Sequence, residues 1–262
     1  MDIIILLYIA VGFVAEMIDN SLGMAYGVSS NTFLLSLGFP PAIASACVHF
    51  SEMFVTLTAG ISHFKLGNVD KKLFLNLLIP GILGGIIGAY ILTSVEGNII
   101  KPFISIYLVI MGMVILVRAF RKTKERQVHS RLFLIPVGAV GGFFDAIGGG
   151  GWGPIVTTTV MARGHDPRKT VGSVNAAEFF VTVAESITFI VAIGTTLFQN
   201  WQLILGLLIG GVVAAPLAAY ICKKIPVRVL LIIVGILIIG LSLRTIYQSW
   251  PDMVALWQNI FG

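Results

Sequence analysis

Apolar residues in this chain fall into long runs, cut by short clusters of glycine, proline and charge. The runs cover about 3–19, 24–37, 42–64, 73–95 and 102–118, then about 132–147, 152–162, 170–194, 201–222 and 228–247. Between them stand Gly38-Phe39-Pro40-Pro41, Lys71-Lys72, Glu96-Gly97-Asn98, His165-Asp166-Pro167 and Lys223-Lys224-Ile225-Pro226, residue types that stop helices and open turns. About 20 apolar residues cross the hydrocarbon layer as one helix. Most runs therefore predict membrane spans. The second run of each set is too short for that and predicts a broken or returning helix near mid-membrane. The tail 248–262, with Trp250, Pro251 and Trp257, predicts a short interfacial piece.

The two sets are repeats of each other. One offset of 126 residues pairs Asp19 with Asp145, Gly23 with Gly149, Gly27 with Gly153, Gly38 with Gly164, Pro41 with Pro167 and Glu52 with Glu178. Apolar matches are cheap in such a chain, whereas acidic residues and prolines matching at one offset are not. The expected organisation is a first transmembrane repeat at 1–120, a basic cytoplasmic linker at 121–131, a second repeat at 132–247 and the tail.

Charge then gives the sidedness. With an odd number of sign changes per half and the amino terminus outside, 15 of the 17 basic residues fall on the inner side, leaving only Lys101 and Arg244 outside, whether the first two segments of each half cross and return or form a hairpin. Four crossings per half give a poorer split. By the positive-inside rule, the odd count makes the halves inverted in topology, as in many secondary transporters. Both termini are then outside, with cytoplasmic loops at 65–72, 119–131, 163–169 and 223–228. Composition agrees: 57% of the 262 residues are hydrophobic and 11% charged, against about 25% charged in soluble domains. That excludes a soluble enzyme or nucleic-acid binder. The expected fold class is an all-α polytopic membrane protein with two inverted repeats of about five helical segments each.

Candidate chemistry lies in the short turns. The second half reads Asp145-Ala146-Ile147-Gly148-Gly149-Gly150-Gly151-Trp152-Gly153-Pro154. Successive glycines each cost a helix about 1 kcal/mol relative to alanine. An unwound glycine turn ahead of a new helix start offers backbone N–H donors to an anion. Gly148, Gly149, Gly150, Gly151 and Trp152 are therefore expected substrate-binding positions, as are Asn20, Ser21, Gly23 and Tyr26 in the first-half turn. Asp19 and Asp145 are expected to cap the broken helices or carry a proton. In the third segment, His49-Phe50-Ser51-Glu52 matches Asn175-Ala176-Ala177-Glu178, placing a polar residue and a glutamate three apart on one helical face. Ionisable groups at membrane depth are functional suspects: His49 and Asn175 for substrate, Glu52 and Glu178 for coupling to a proton or sodium ion. Glu16 and Glu185 have no acidic match in the other half and rank lower.

No catalytic motif is present: His-Glu-x-x-His, Gly-x-Ser-x-Gly and the phosphate-loop lysine motif are all missing. No cofactor, metal site or nucleic-acid partner is expected. The glycine run after a short apolar helix, Pro154, the Gly164-x-x-Pro167 loop and the half-to-half repeat resemble the TauE/SafE family of sulfite and organosulfonate exporters over nearly the whole chain. The first half carries the glycine motif in degenerate form. The resemblance implies a secondary transporter exporting small sulfur-containing anions across a bacterial inner membrane. An anion channel shares the same residues. A metal-handling intramembrane protein built on His49 and Glu52 is the remaining alternative.

Overall fold

The computed structural model describes residues 3–22, 24–120, 131–221 and 227–261. They form α1 (Ile3–Leu22), α2 (Tyr26–Ser36), α3 (Pro41–Lys65), α4 (Lys71–Ser94), α5 (Gly97–Phe120), α6 (Arg131–Gly148), α7 (Gly153–Ala162), α8 (Pro167–Ile193), α9 (Thr195–Gln199), α10 (Trp201–Ile221) and α11 (Val227–Phe261), with no strand among the described residues. Six of these helices contain stretches long and apolar enough to cross a membrane: α3, α4, α5, α6, α8 and residues 228–251 of α11. The chain is an all-α polytopic membrane protein.

Local sequence explains the boundaries. α3 and α8 both open with proline in the first turn, Pro41 and Pro167, where a missing N–H does no harm. Asp70 caps α4 by accepting from the N–H of Lys72 at 2.8 Å and of Leu73 at 3.2 Å. Asp166 caps α8 through the N–H of Lys169 at 2.9 Å.

Two features depart from the sequence expectation. The five-residue α9 follows α8 as a separate turn. The expected short tail is instead the end of α11, which runs 35 residues straight through Pro251. Beyond that proline no glycine interrupts the chain before Gly262, so the helix loses one backbone bond at Pro251 and continues. The basic linker residues 121–130 and the cluster 222–226 lie outside the described residues.

Packing is reciprocal between the halves. α1 packs on α10 as α6 packs on α4, while α3 pairs with α8 and α5 with α11. Under the 126-residue offset, α1 becomes α6 and α4 becomes α10, so exchanging the halves reproduces the pairing. Small residues allow the closest seams. A methyl group at Gly84 of α4 would overlap the backbone of Ala139 and Phe143 in α6, and one at Gly210, 126 residues on, would overlap Ile9 and Phe13 of α1.

Candidate functional site

α6 stops at Gly148 because the next two residues leave helical geometry. Gly149 and Gly150 adopt φ of 63° and 149°, angles at which a side chain is strained. The turn also leaves no room for one. A methyl on Gly150 would run into the backbone of Gly27 and Val28 at the start of α2, and one on Gly149 would strike Asn31. The two helix breaks thus meet in the middle of the bundle.

Breaking a helix frees N–H and C=O groups that lipid cannot satisfy, and here side chains take up both kinds. Asp145 Oδ1 accepts from the N–H of Gly151 at 2.6 Å and of Trp152 at 2.8 Å, and Gly150 N–H donates to the Asp145 carbonyl at 3.0 Å. Three other helices donate to the freed carbonyls. Ser45 Oγ of α3 reaches the Ala146 carbonyl at 2.6 Å, Asn31 Nδ2 of α2 that of Gly148 at 2.5 Å, and Tyr107 Oη of α5 that of Gly150 at 3.3 Å. The N–H groups expected to stand bare at Gly150, Gly151 and Trp152 are therefore occupied by Asp145. The acidic residue ahead of the glycines supplies an internal anion before any external one arrives.

The first-half break carries the same cap. Asp19 Oδ1 accepts from the N–H of Ala25 at 2.6 Å and of Tyr26 at 3.2 Å. The capping role expected for Asp19 and Asp145 is what the geometry shows. Tyr26 and Trp152, 126 residues apart, are both buried, and each donates to a distant carbonyl: Tyr26 Oη to Leu207 at 3.1 Å and Trp152 Nε1 to Val174 at 3.1 Å. Both polar tips are used structurally. Asn20 and Ser21 lie at the end of α1, their side chains outside the described residues, as is Gly23.

Behind the second break sits a buried cluster that no single helix reveals. His49 Nδ1 lies 2.8 Å from the Ser45 carbonyl, which accepts only, so this nitrogen carries a proton and Nε2 faces inward. Nε2 is 3.0 Å from Glu185 Oε2 and 3.5 Å from Asp145 Oδ2, and all three residues are at most 2% exposed. None of these three atoms has a hydrogen-bonding partner of good geometry, nor does Glu185 Oε1. A lone pair and two carboxylates facing one another in a buried site favour a positive species among them. One atom from each of the three residues lies within 4.8 Å of the others, so the trio could hold a proton or another small cation. Sequence spacing ranked Glu185 low because position 59 of the first half is alanine. Nothing in the sequence brings α3, α6 and α8 together.

Glu52 and Glu178 stand alongside, both buried on the paired helices α3 and α8. Glu52 Oε2 has no hydrogen-bonding partner. Asn175 is buried with an unpartnered Oδ1. α2 adds a polar run that was not singled out in the sequence. Ser29, Ser30, Asn31 and Thr32 are all buried, with Ser29 Oγ, Ser30 Oγ, Thr32 Oγ1 and Asn31 Oδ1 lacking partners. Four consecutive polar residues in an otherwise apolar run were the available signal. A cleft of about 510 Å3 between α3, α4 and α8 holds none of these residues, its lining being apolar apart from Thr56, Lys65 and Lys71.

Comparison with known proteins places the chain among membrane transporters. The family model described as sulfite exporter TauE/SafE matches residues 8–245. The chain is 39% identical to the "Probable membrane transporter protein YtnM" of Bacillus subtilis, over 98% of this chain and 87% of that one. It is 25% identical to a "Probable membrane transporter protein" of Haemophilus influenzae, over 83% of this chain and 84% of the relative. No solved structure matches significantly.

Proposed function

We propose a function that starts from membership, since the chain belongs to the sulfite exporter TauE/SafE family and is a membrane transporter rather than an enzyme. In this reading it exports a small sulfur-containing anion, sulfite or an organosulfonate, across the cytoplasmic membrane, coupled to an ion gradient. Substrate and coupling ion meet where the two broken helices touch. The single observation that carries the reading is the convergence of His49, Glu185 and Asp145 directly behind the N–H groups of Gly151 and Trp152.

That arrangement supplies a physical link between ion and anion. An anion approaching the glycine turn competes with the Asp145 carboxylate for the same two N–H donors. A proton passed to Asp145 through His49 and Glu185 weakens its hold and frees them. Glu52 and Glu178 lie within electrostatic reach and set how readily that proton arrives. The buried hydroxyls of α2 and the amide of Asn175 offer neutral ligands beside the turn. The reciprocal packing supports halves of inverted topology that alternate around this point, with both termini outside; labelling of Lys124→Cys from outside intact cells would contradict that sidedness.

The test is thermal unfolding of the purified protein with sulfite, thiosulfate, sulfate, methanesulfonate and acetate at matched ionic strength. A ligand that binds the native state raises the midpoint by mass action. Sulfite or methanesulfonate should stabilise at lower concentration than acetate. Equal small shifts with every salt would contradict the reading.

A further inference from the structure

A half-buried arginine stands apart from the acidic cluster. Arg118 lies in the last turn of α5. There a basic side chain ordinarily turns back to its own helix carbonyls or out to the membrane surface. Its guanidinium does neither. Nη1 is 2.6 Å from the sulfur of Met24, just ahead of α2, and Nη2 is 3.2 Å from the sulfur of Met161, near the end of α7. Both methionines are buried, at 1% and 9% exposure. The charge is thus aimed inward, between the short helices of the two halves.

Its partners do not balance it. A guanidinium carries a full charge and five N–H donors, whereas a thioether sulfur is a weak, uncharged acceptor. Among the described residues no carboxylate lies within ion-pair distance of Arg118. The six acidic side chains at positions 16, 19, 52, 145, 178 and 185 are all on other helices. Taking a cation partly out of water without a counter-charge is costly. The flexible, polarisable methionine side chains can yield to an incoming group. The matching arginine of the second half, Arg244, is exposed, so this is a feature of one mouth of the bundle and not of the repeat.

We infer that Arg118 is the cationic receptor for the substrate's anionic head, which displaces the sulfurs of Met24 and Met161 and takes up the guanidinium's paired donors. Planar guanidinium donors match two oxygens of a sulfite, sulfonate or carboxylate group. The position also fits a route. Met24 stands two residues ahead of α2, the helix that carries the polar run Ser29, Ser30, Asn31 and Thr32. This inference rests on the anion-transporter reading and assigns its recognition residue.

The experiment extends the thermal-unfolding series to three variants, using sulfite and methanesulfonate as probes. Arg118→Gln should weaken the ligand-induced shift by roughly 10- to 100-fold in apparent affinity, the loss expected for a charge-assisted contact. Arg118→Lys keeps the charge without the fork and should fall between. The double variant Met24→Leu, Met161→Leu keeps the charge and removes the sulfurs; it should bind at least as tightly as the parent. Unfolding midpoints without ligand report whether each variant is folded. If the parent binds and Arg118→Gln binds equally well, the assignment is overturned while the transporter reading stands. The assignment is also overturned if the methionine variant loses binding as Arg118→Gln does, since Arg118 would then only tie α5 to its neighbours. If the parent itself binds neither probe, the anion reading fails and takes this assignment with it.

Discussion

The two helix breaks share a cap and differ in almost everything around it. Asp19 holds Ala25 and Tyr26 as Asp145 holds Gly151 and Trp152, through the same carboxylate oxygen and at the same spacing. Past the cap, the first half has Met24 where the second has Gly150. The first break leads into a polar helix, α2, whereas the second leads into the apolar α7 with its wide first turn at Gly153–Thr157. Only the second cap has its free oxygen facing a histidine. The repeat therefore preserves how a helix is broken inside a membrane, and each half then uses its break differently. The titratable cluster gathers at the second break, with His49 reaching it from the first half, and the run of buried hydroxyls follows the first break.

Exchanging residues between the breaks tests that division. The largest effect should come from Gly150→Met, which copies the first half's residue into the second. The side chain meets a φ of 149° and the backbone of Gly27 and Val28, a combined strain and overlap of at least about 3 kcal/mol. Loss of monodisperse protein, or a collapse of its unfolding midpoint, is the expected result. Normal yield and midpoint would mean that the breaks do not press together.

Removing the caps should have a smaller and unequal effect. Asp145→Ala strands two buried N–H groups, at about 2 kcal/mol after allowing for relief of the like charge on Glu185. Asp19 is less buried, and Asp19→Ala should cost about 1 kcal/mol. Thermal unfolding of the two variants side by side gives the comparison, and equal losses would contradict the claim that the second break is the more enclosed.

The long apolar runs gave the helices, and the positions of Pro41, Asp70, Asp166 and Pro167 gave several of their starts, because capping is local chemistry. The repeat was legible through Asp19, Asp145, Glu52 and Glu178 because polar matches are rare in such a chain. The continuation of α11 beyond Pro251 was not legible, since proline marks a break only when neighbouring residues also favour one. Glu185 ranks low in the sequence, and Asn31, Tyr107 and Arg118 do not stand out there, for a shared reason: each makes its contacts with another helix. Glu185 turns to His49, Asn31 and Tyr107 to the glycine carbonyls, and Arg118 to two methionines. The glycine run was correctly placed in a turn, but its N–H groups are not bare. Asp145 occupies the donors of Gly151 and Trp152, so an anion at the turn has to compete with it.

The central claim is that the buried cluster behind the second break links anion movement to protons. The direct measurement is sulfite flux in liposomes under an imposed pH gradient, for the parent and for Glu185→Gln, which keeps shape and hydrogen bonding but cannot exchange a proton. The parent's flux should change several-fold with the gradient, and Glu185→Gln should still carry sulfite with that response largely lost. Glu52→Gln and Glu178→Gln should reduce the response less. Parent flux indifferent to the gradient, or a gradient response intact in Glu185→Gln, would contradict the account.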